Sequence, residues 1–249
     1  MIKFENCESV GWEHAIRGMR NPMNSWAKSD SGFGCEISDA HFCGVCEDGH
    51  TEACPGCFKK YKLGSNDHEL MMKLRNAGSD HRKFMRQIIV YVDITAPLYW
   101  WKEFDTYKVG TVSNSCSTMH KIHQKEFTLE DFSCEHLGDG FVPVLKETIR
   151  ALNCARQMYL EYDETIKQGV PCLKGTTPCT KKDVWWQMIQ LLPSSYNQRR
   201  TISMSYENLA NMYSARKNHK LDEWRELCAW AETLPYSEII TGKMDGVEV

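Results

Sequence analysis

The sequence predicts a helix-rich α+β protein. One short run dense in β-branched residues, Ile88-Ile89-Val90-Tyr91-Val92-Asp93-Ile94, has the length and composition of a largely buried strand. Several longer stretches carry apolar residues at helical spacing and end at glycine, proline or polar breaks. The chain of 249 residues, 42% hydrophobic and 25% charged, is long enough to bury a substantial core.

In chain order, Lys3 to Val10 reads as a short strand and Trp12 to Arg20 as a helix stopped at Asn21-Pro22. Arg17 and Arg20, three apart, would share a face, either as solvated surface or as a phosphate contact. Asn66 or Asp67 can cap a helix running through Leu70, Met71 and Leu74 to Gly78. After the strand, Ala96-Pro97 breaks the pattern, and Pro97 suits the first turn of a helix through Trp100, Trp101 and Phe104. Further helices are expected at about Pro143 to Gln168, Lys181 to Leu191, Ser203 to Lys217 and Leu221 to Thr233, with a poorly ordered tail after Tyr236. A single domain is the expectation, with a distinct cysteine-rich insertion at residues 32–61.

Twelve cysteines in a chain without an export signal suggest reduced thiols or a metal before disulfides. Cys43 and Cys46, then Cys54 and Cys57, form two Cys-x-x-Cys pairs separated by seven residues. Four thiolates suit the tetrahedral preference of Zn²⁺, so a structural zinc is expected; unligated cysteines and a redox or iron-sulfur role are the alternatives. Cys35, His41 and His50 are further candidate ligands. A closed site of this kind would organise a loop and perform no chemistry.

The formal net charge of −3 argues against a nucleic-acid partner, which needs clustered cations. No run approaches the about eighteen apolar residues of a membrane span, and the start lacks the pattern of a signal peptide. A cytoplasmic location without a membrane partner is expected.

Two segments resemble the flavin-dependent thymidylate synthases. In the first, His81-Arg82-Lys83-Phe84-Met85-Arg86-Gln87 precedes the strand, Ala96-Pro97-Leu98-Tyr99 and an aromatic helix follow, and Val109-Gly110-Thr111-Val112-Ser113-Asn114-Ser115-Cys116-Ser117 closes the series. The family keeps this order and ends on a signature of the form Arg-His-Arg-x-x-Ser-x-Asn-Glu-x-Ser-x-Arg. Asn114 and Ser117 match its Asn-x-x-Ser element, Thr111 stands for its first serine with one residue inserted, and Lys108 is the cation near its Arg-His-Arg. Thr106 and Tyr107 replace the other two members, Ser115 replaces the glutamate, and Met119 the last arginine. Arg86-Gln87 stands where the family has a Glu-His pair that approaches the flavin.

The second segment, Leu192-Pro193 to Arg216, aligns without a gap and retains the family's asparagine and arginine at Asn211 and Arg216. An earlier Asn-x-Arg pair of the family falls on Ser205 and Glu207. The resemblance spans His81 to about Arg225 and implies a small antiparallel sheet beside the helices.

It also implies a one-carbon transfer to C5 of dUMP or a related nucleotide, with FAD as cofactor, methylenetetrahydrofolate and NADPH as co-substrates, and a homotetramer. Arg216 would contact the pyrimidine as the catalytic group, with Asn114 and Ser117 on the nucleotide. Lys108, Thr111, Asn211, Arg86 and Gln87 would serve the cofactor. Outside the signature, Arg199-Arg200 reads either as a phosphate grip ahead of a helix or as a solvated pair. Trp100-Trp101 could stack on a ring or belong to the core, and His120 and His123 could act in acid-base or metal chemistry or be ordinary structural histidines. The alternative function is a non-catalytic nucleotide-binding module on the same scaffold.

Overall fold

The computed structural model describes residues 2–34, 60–162 and 180–243. Cys43, Cys46, Cys54 and Cys57, with Cys35, His41 and His50, lie outside the described residues.

Strand β1 (Lys3–Val10) leads through Gly11 into helix α1 (Trp12–Arg20). Gly11 adopts φ 91°, and a Cβ there would overlap the carbonyl oxygen of Gln87, so both torsion and space require glycine. Two short strands, β2 (Gly32–Gly34) and β3 (Lys60–Lys62), pair antiparallel before helix α2 (Ser65–Asn76). Strand β4 (Ile89–Pro97) runs directly into helix α3 (Leu98–Phe104), with Pro97 as the extended N-cap residue. Strand β5 (Thr111–Ser115), helices α4 (Val142–Leu160) and α5 (Lys181–Leu191), strand β6 (Asn197–Ser205) and helices α6 (Tyr206–Arg216), α7 (Asp222–Ala231) and α8 (Glu238–Thr241) complete the order.

The expected helix-rich α+β architecture with a small antiparallel sheet is what forms. The main sheet has the order β1-β4-β6-β5, every pair antiparallel. In β4, Val90, Val92, Ile94 and Ala96 are buried while Tyr91, Asp93 and Thr95 point to the other face, the period of two that a half-covered strand requires. Ile202 and Met204 continue the apolar face on β6, and Leu209 and Met212 of α6, the aromatics of α3, and Trp224 and Leu227 of α7 belong to the same core. Burying a side chain of this size stabilises by roughly 1.5 to 3 kcal/mol, so Ile202→Asp would break the sheet's attachment to its helices. A second core joins Leu145, Ile149 and Leu152 of α4 to Met188 of α5, Phe127 and Phe132.

Several expectations change. The residues from Ser203 to Ser205 are strand, and α6 starts at Tyr206 with a capping box between Ser205 and Asn208. Helix α4 ends at Leu160, and the expected end at Gln168 lies outside the described residues. Neither Asn66 nor Asp67 caps α2: Asp30 from outside the helix accepts their backbone N–H groups at 2.9 and 3.1 Å. Asp67 is instead buried, taking Arg20 Nε at 2.6 Å, Ser29 Oγ at 2.7 Å and Ser31 Oγ at 2.6 Å. Arg20 is therefore a core residue, whereas Arg17 meets His14 at the surface. Residues 237–243 are anchored, because Ile239 and Ile240 of α8 are fully buried, and the rest of the expected tail lies outside the described residues. Among the described residues no helix is long and apolar enough to cross a membrane.

Candidate functional site along helix α6

Helix α6 carries Asn211 and Arg216 and meets Arg86, three of the residues that the resemblance implies for the cofactor and the base. Glu207 and Asn211, one helical turn apart, share a stripe. Arg86 and Arg82, from the turn before β4, both reach that stripe: Arg86 donates twice to the Glu207 carboxylate, Arg82 Nε lies 3.4 Å from it, and Arg82 Nη2 donates to Asn211 Oδ1 at 2.8 Å. Glu207 is 8% exposed, so its charge needs these partners, and the two arginines leave the group cationic overall.

On the flank of α6, Asn208 Nδ2 donates to Val109 O at 2.7 Å. Gly110, with φ 79°, lets the loop approach that close: a Cβ would sit 2.9 Å from Asn208 Oδ1. This contact carries Lys108 and Thr111 to the helix. Lys108 is exposed and forms no ion pair among the described residues, whereas the Thr111 hydroxyl donates to Tyr107 O at 2.5 Å. Gln87 lies over α1, its Oε1 2.8 Å from where Gly18 would carry a Cβ, and its side chain makes no hydrogen bond to the α6 stripe among the described residues.

At the end of α6, Arg216 is held by three elements. Its Nε donates to the Tyr107 hydroxyl at 2.9 Å, its Nη1 to Glu103 Oε2 at 3.0 Å, and its guanidinium carbon lies 4.7 Å from the centre of the Trp224 ring. Glu103 Oε2 also accepts from Trp224 Nε1 at 2.9 Å and faces His219 Nε2 at 3.6 Å. The Leu221 N–H donates to His219 Nδ1 at 3.2 Å, which leaves Nε2 as the ring's N–H. The arrangement fixes the guanidinium plane and leaves Nη2 with no partner among the described residues. A fixed guanidinium can polarise a carbonyl or neutralise a deprotonated ring nitrogen.

The nucleotide residues of the sequence reading do not converge on α6. Asn114 pairs in register with Thr201, on the sheet face away from the helices. That face carries Asp93, which takes Thr201 Oγ1 at 2.5 Å, Arg199 Nη2 at 2.7 Å and Asn6 Nδ2 at 2.8 Å. These hydrogen bonds, Thr201 first, hold the Asp93 carboxyl far below the ordinary carboxylate range. Arg199 and Arg200 belong to β6 and not to a turn ahead of a helix, so they project to opposite faces and form no common phosphate grip. Arg200 turns inward, 4.1 Å from the Trp101 ring centre, and donates to Asp105 Oδ1 at 2.7 Å. Ser117 Oγ accepts the N–H groups of Met119 and His120 at 3.1 and 2.9 Å and lines a cleft of about 390 Å³ with Lys121, Phe127 and Tyr196. Trp100 and Trp101 are core residues.

Sequence reading missed Glu103, Tyr107, Glu207 as a partner, Arg82, His219 and Trp224. The spacing of Glu103 and Tyr107, four apart at the end of an aromatic helix, was the available signal.

No protein-family model and no curated protein sequence matches the chain. Among solved structures, Thymidylate Synthase X from Helicobacter pylori with FAD and dUMP is 15% identical, over 96% of this chain and 95% of that one, with a TM-score of 0.56. A second structure of the flavin-dependent enzyme from that organism, complexed with FAD and dUMP, is 14% identical over the same shares, at 0.55. The UMP/dUMP methylase PolB from Streptomyces cacaoi, bound with 5-Br dUMP, is 12% identical over 97% and 95% of the two chains, at 0.51. At these identities the likeness establishes a shared fold extending over nearly the whole chain.

Proposed function

We propose that the chain is an enzyme acting on the pyrimidine of a dUMP-like nucleotide, transferring a one-carbon group to C5 on the scaffold of the flavin-dependent thymidylate synthases. The observation that carries this reading is Arg216, kept at the end of α6 and locked by Glu103 and Tyr107, with Nη2 unpartnered among the described residues. Locked in this way, it can donate to the pyrimidine carbonyl and its neighbouring nitrogen without reorganising, which draws electron density from the ring as the base reacts. Fold neighbours crystallised with dUMP or 5-Br dUMP support the substrate class.

FAD is the proposed cofactor, and the donor set along α6 suits an anionic group. Lys108 is a cation with no ion pair among the described residues, and the Arg82, Arg86 and Glu207 cluster is cationic with Asn211 beside it. These residues would hold the flavin, while Thr111 and Gln87, engaged elsewhere, contribute less than the resemblance implies. When bound and reduced, a flavin supplies hydride; methylenetetrahydrofolate would supply the carbon and NADPH the electrons. Arg216 binds and orients the base.

The test is calorimetry with dUMP together with the visible spectrum of the purified protein after incubation with FAD. Saturable dUMP binding and a retained flavin spectrum support the reading. Absence of dUMP binding would refute it, and dUMP binding without turnover in the presence of FAD, folate and NADPH would favour the non-catalytic module.

A further inference from the structure

Away from α6, the packing of α4 against α5 leaves an open cleft of about 300 Å³ lined by Met119, His120, Tyr159, Lys181, Lys182 and Trp185. Part of its wall is aromatic. The half-buried Trp185 is fixed by its indole N–H, which donates to Met119 O at 2.8 Å, and Tyr159 lies 4.6 Å from the His123 ring. The remainder is cationic. Lys181 Nζ sits 4.9 Å from the centre of the Tyr159 ring, and Lys182 and His120 are exposed.

Neither lysine forms an ion pair among the described residues. The neighbouring carboxylate of Asp183 is directed to the helix cap, accepting from Thr180 N at 2.8 Å and Thr180 Oγ1 at 2.6 Å. The cations are felt next door: burial first, then Lys121, Lys181 and Arg156, push the His123 imidazole below its ordinary value. Its Nδ1 is buried with no hydrogen-bond partner among the described residues. Like charges gathered around a cleft repel one another, and an entering anion removes that repulsion.

We propose that this cleft binds an anion carried on a flat ring, the ring against Trp185 and Tyr159 and the anionic group between Lys181 and Lys182. Two small-molecule sources share that chemistry: a nucleotide phosphate and the carboxylates of a folate. Rings of this kind gain contact area on aromatic walls, and lysine ammonium groups serve either anion as point charges. The cleft belongs to the second core and shares no residue with the α6 strip, so it stands or falls separately from the reading of Arg216.

The experiment is calorimetric titration of the full chain with dUMP, folic acid and inorganic pyrophosphate, in the wild type, in R216A, in K181A/K182A and in K181R/K182R. The expected result is a binding event for dUMP or folic acid that survives R216A, is competed by pyrophosphate, weakens about tenfold or more in K181A/K182A, and is retained in K181R/K182R. Such an event with dUMP assigns the nucleotide phosphate, and with folic acid the folate carboxylates. The proposal is overturned if no event survives R216A, or if K181A/K182A, folded by circular dichroism, binds as the wild type does.

Discussion

Arg86 and Glu207 are joined by a two-point ion pair between the turn before β4 and the first turn of α6. By resemblance, these positions carry a glutamate and an arginine in the flavin-dependent thymidylate synthases. Both charges are reversed here, and the two reversals meet in one contact. The single variants R86E and E207R should each lower the denaturation midpoint, because each sets like charges together, and the doubly exchanged protein should recover part of the loss. A double-mutant cycle by chemical denaturation measures this, and strict additivity would contradict it.

Asp67 supports the N-terminal region from inside the core. Removing one partner of a buried pair leaves the other charge uncompensated, so Asp67→Ala should cost about 3 to 5 kcal/mol, read by urea unfolding. Burial alone would raise the Asp67 carboxyl, but hydrogen bonds from Ser31, Ser29 and Arg20 outweigh it and hold it below the ordinary value. Because the folded value is depressed, this stabilisation is fully present above the unfolded carboxylate range of about 4 and is lost as pH falls through the folded value. Comparison of unfolding at pH 7 and pH 3 should show a smaller Asp67→Asn penalty at the lower pH.

Arg216→Ala should weaken dUMP binding about tenfold or more while leaving the fold intact, since the side chain lies at the end of α6 and outside the apolar core. Arg216→Lys should rescue little, because an ammonium cannot reproduce a planar fork. Glu103→Gln removes the anion that positions the guanidinium and should weaken binding less than Arg216→Ala. Equal dUMP affinity in all four proteins would contradict the role given to Arg216.

Cys43, Cys46, Cys54 and Cys57 lead us to expect one zinc per chain. Elemental analysis of protein purified without added metal should return about one equivalent, and Cys43→Ser combined with Cys57→Ser should abolish it. Full-length protein with no zinc would contradict the expectation.

The strand β4 and helices α1, α5 and α7 were legible because each has its own periodicity or stop signal. Strand β6 was not. Its alternation of Gln198, Arg200, Ile202 and Met204 on one face is interrupted by Arg199 and Thr201, and it is held by β4 and β5, far away in the chain. Arg199-Arg200 therefore read as one cationic pair until the pleat separated them. Asp67 looked like a helix cap because its burial depends on Arg20 and Ser31, which local sequence cannot supply. At the site, Arg216 and Asn211 were legible as a motif; their partners Glu103 and Arg82 come from segments more than a hundred residues earlier.

The short ladder of β2 with β3 has a thermodynamic consequence. Gly34 and Lys60 are register partners, so the ends of the cysteine-bearing segment are tied together, and Ser31 of the same stem donates to Asp67 while accepting from the Gly64 N–H at 2.9 Å. Loop closure between those ends is thus already met by the fold, and the free energy of any ion bound between them would be shared with the Asp67 hub. Reciprocity would follow: a ligand that tightened the segment would protect the Arg20 and Asp67 pair against unfolding, and damage to that pair would weaken binding of such a ligand.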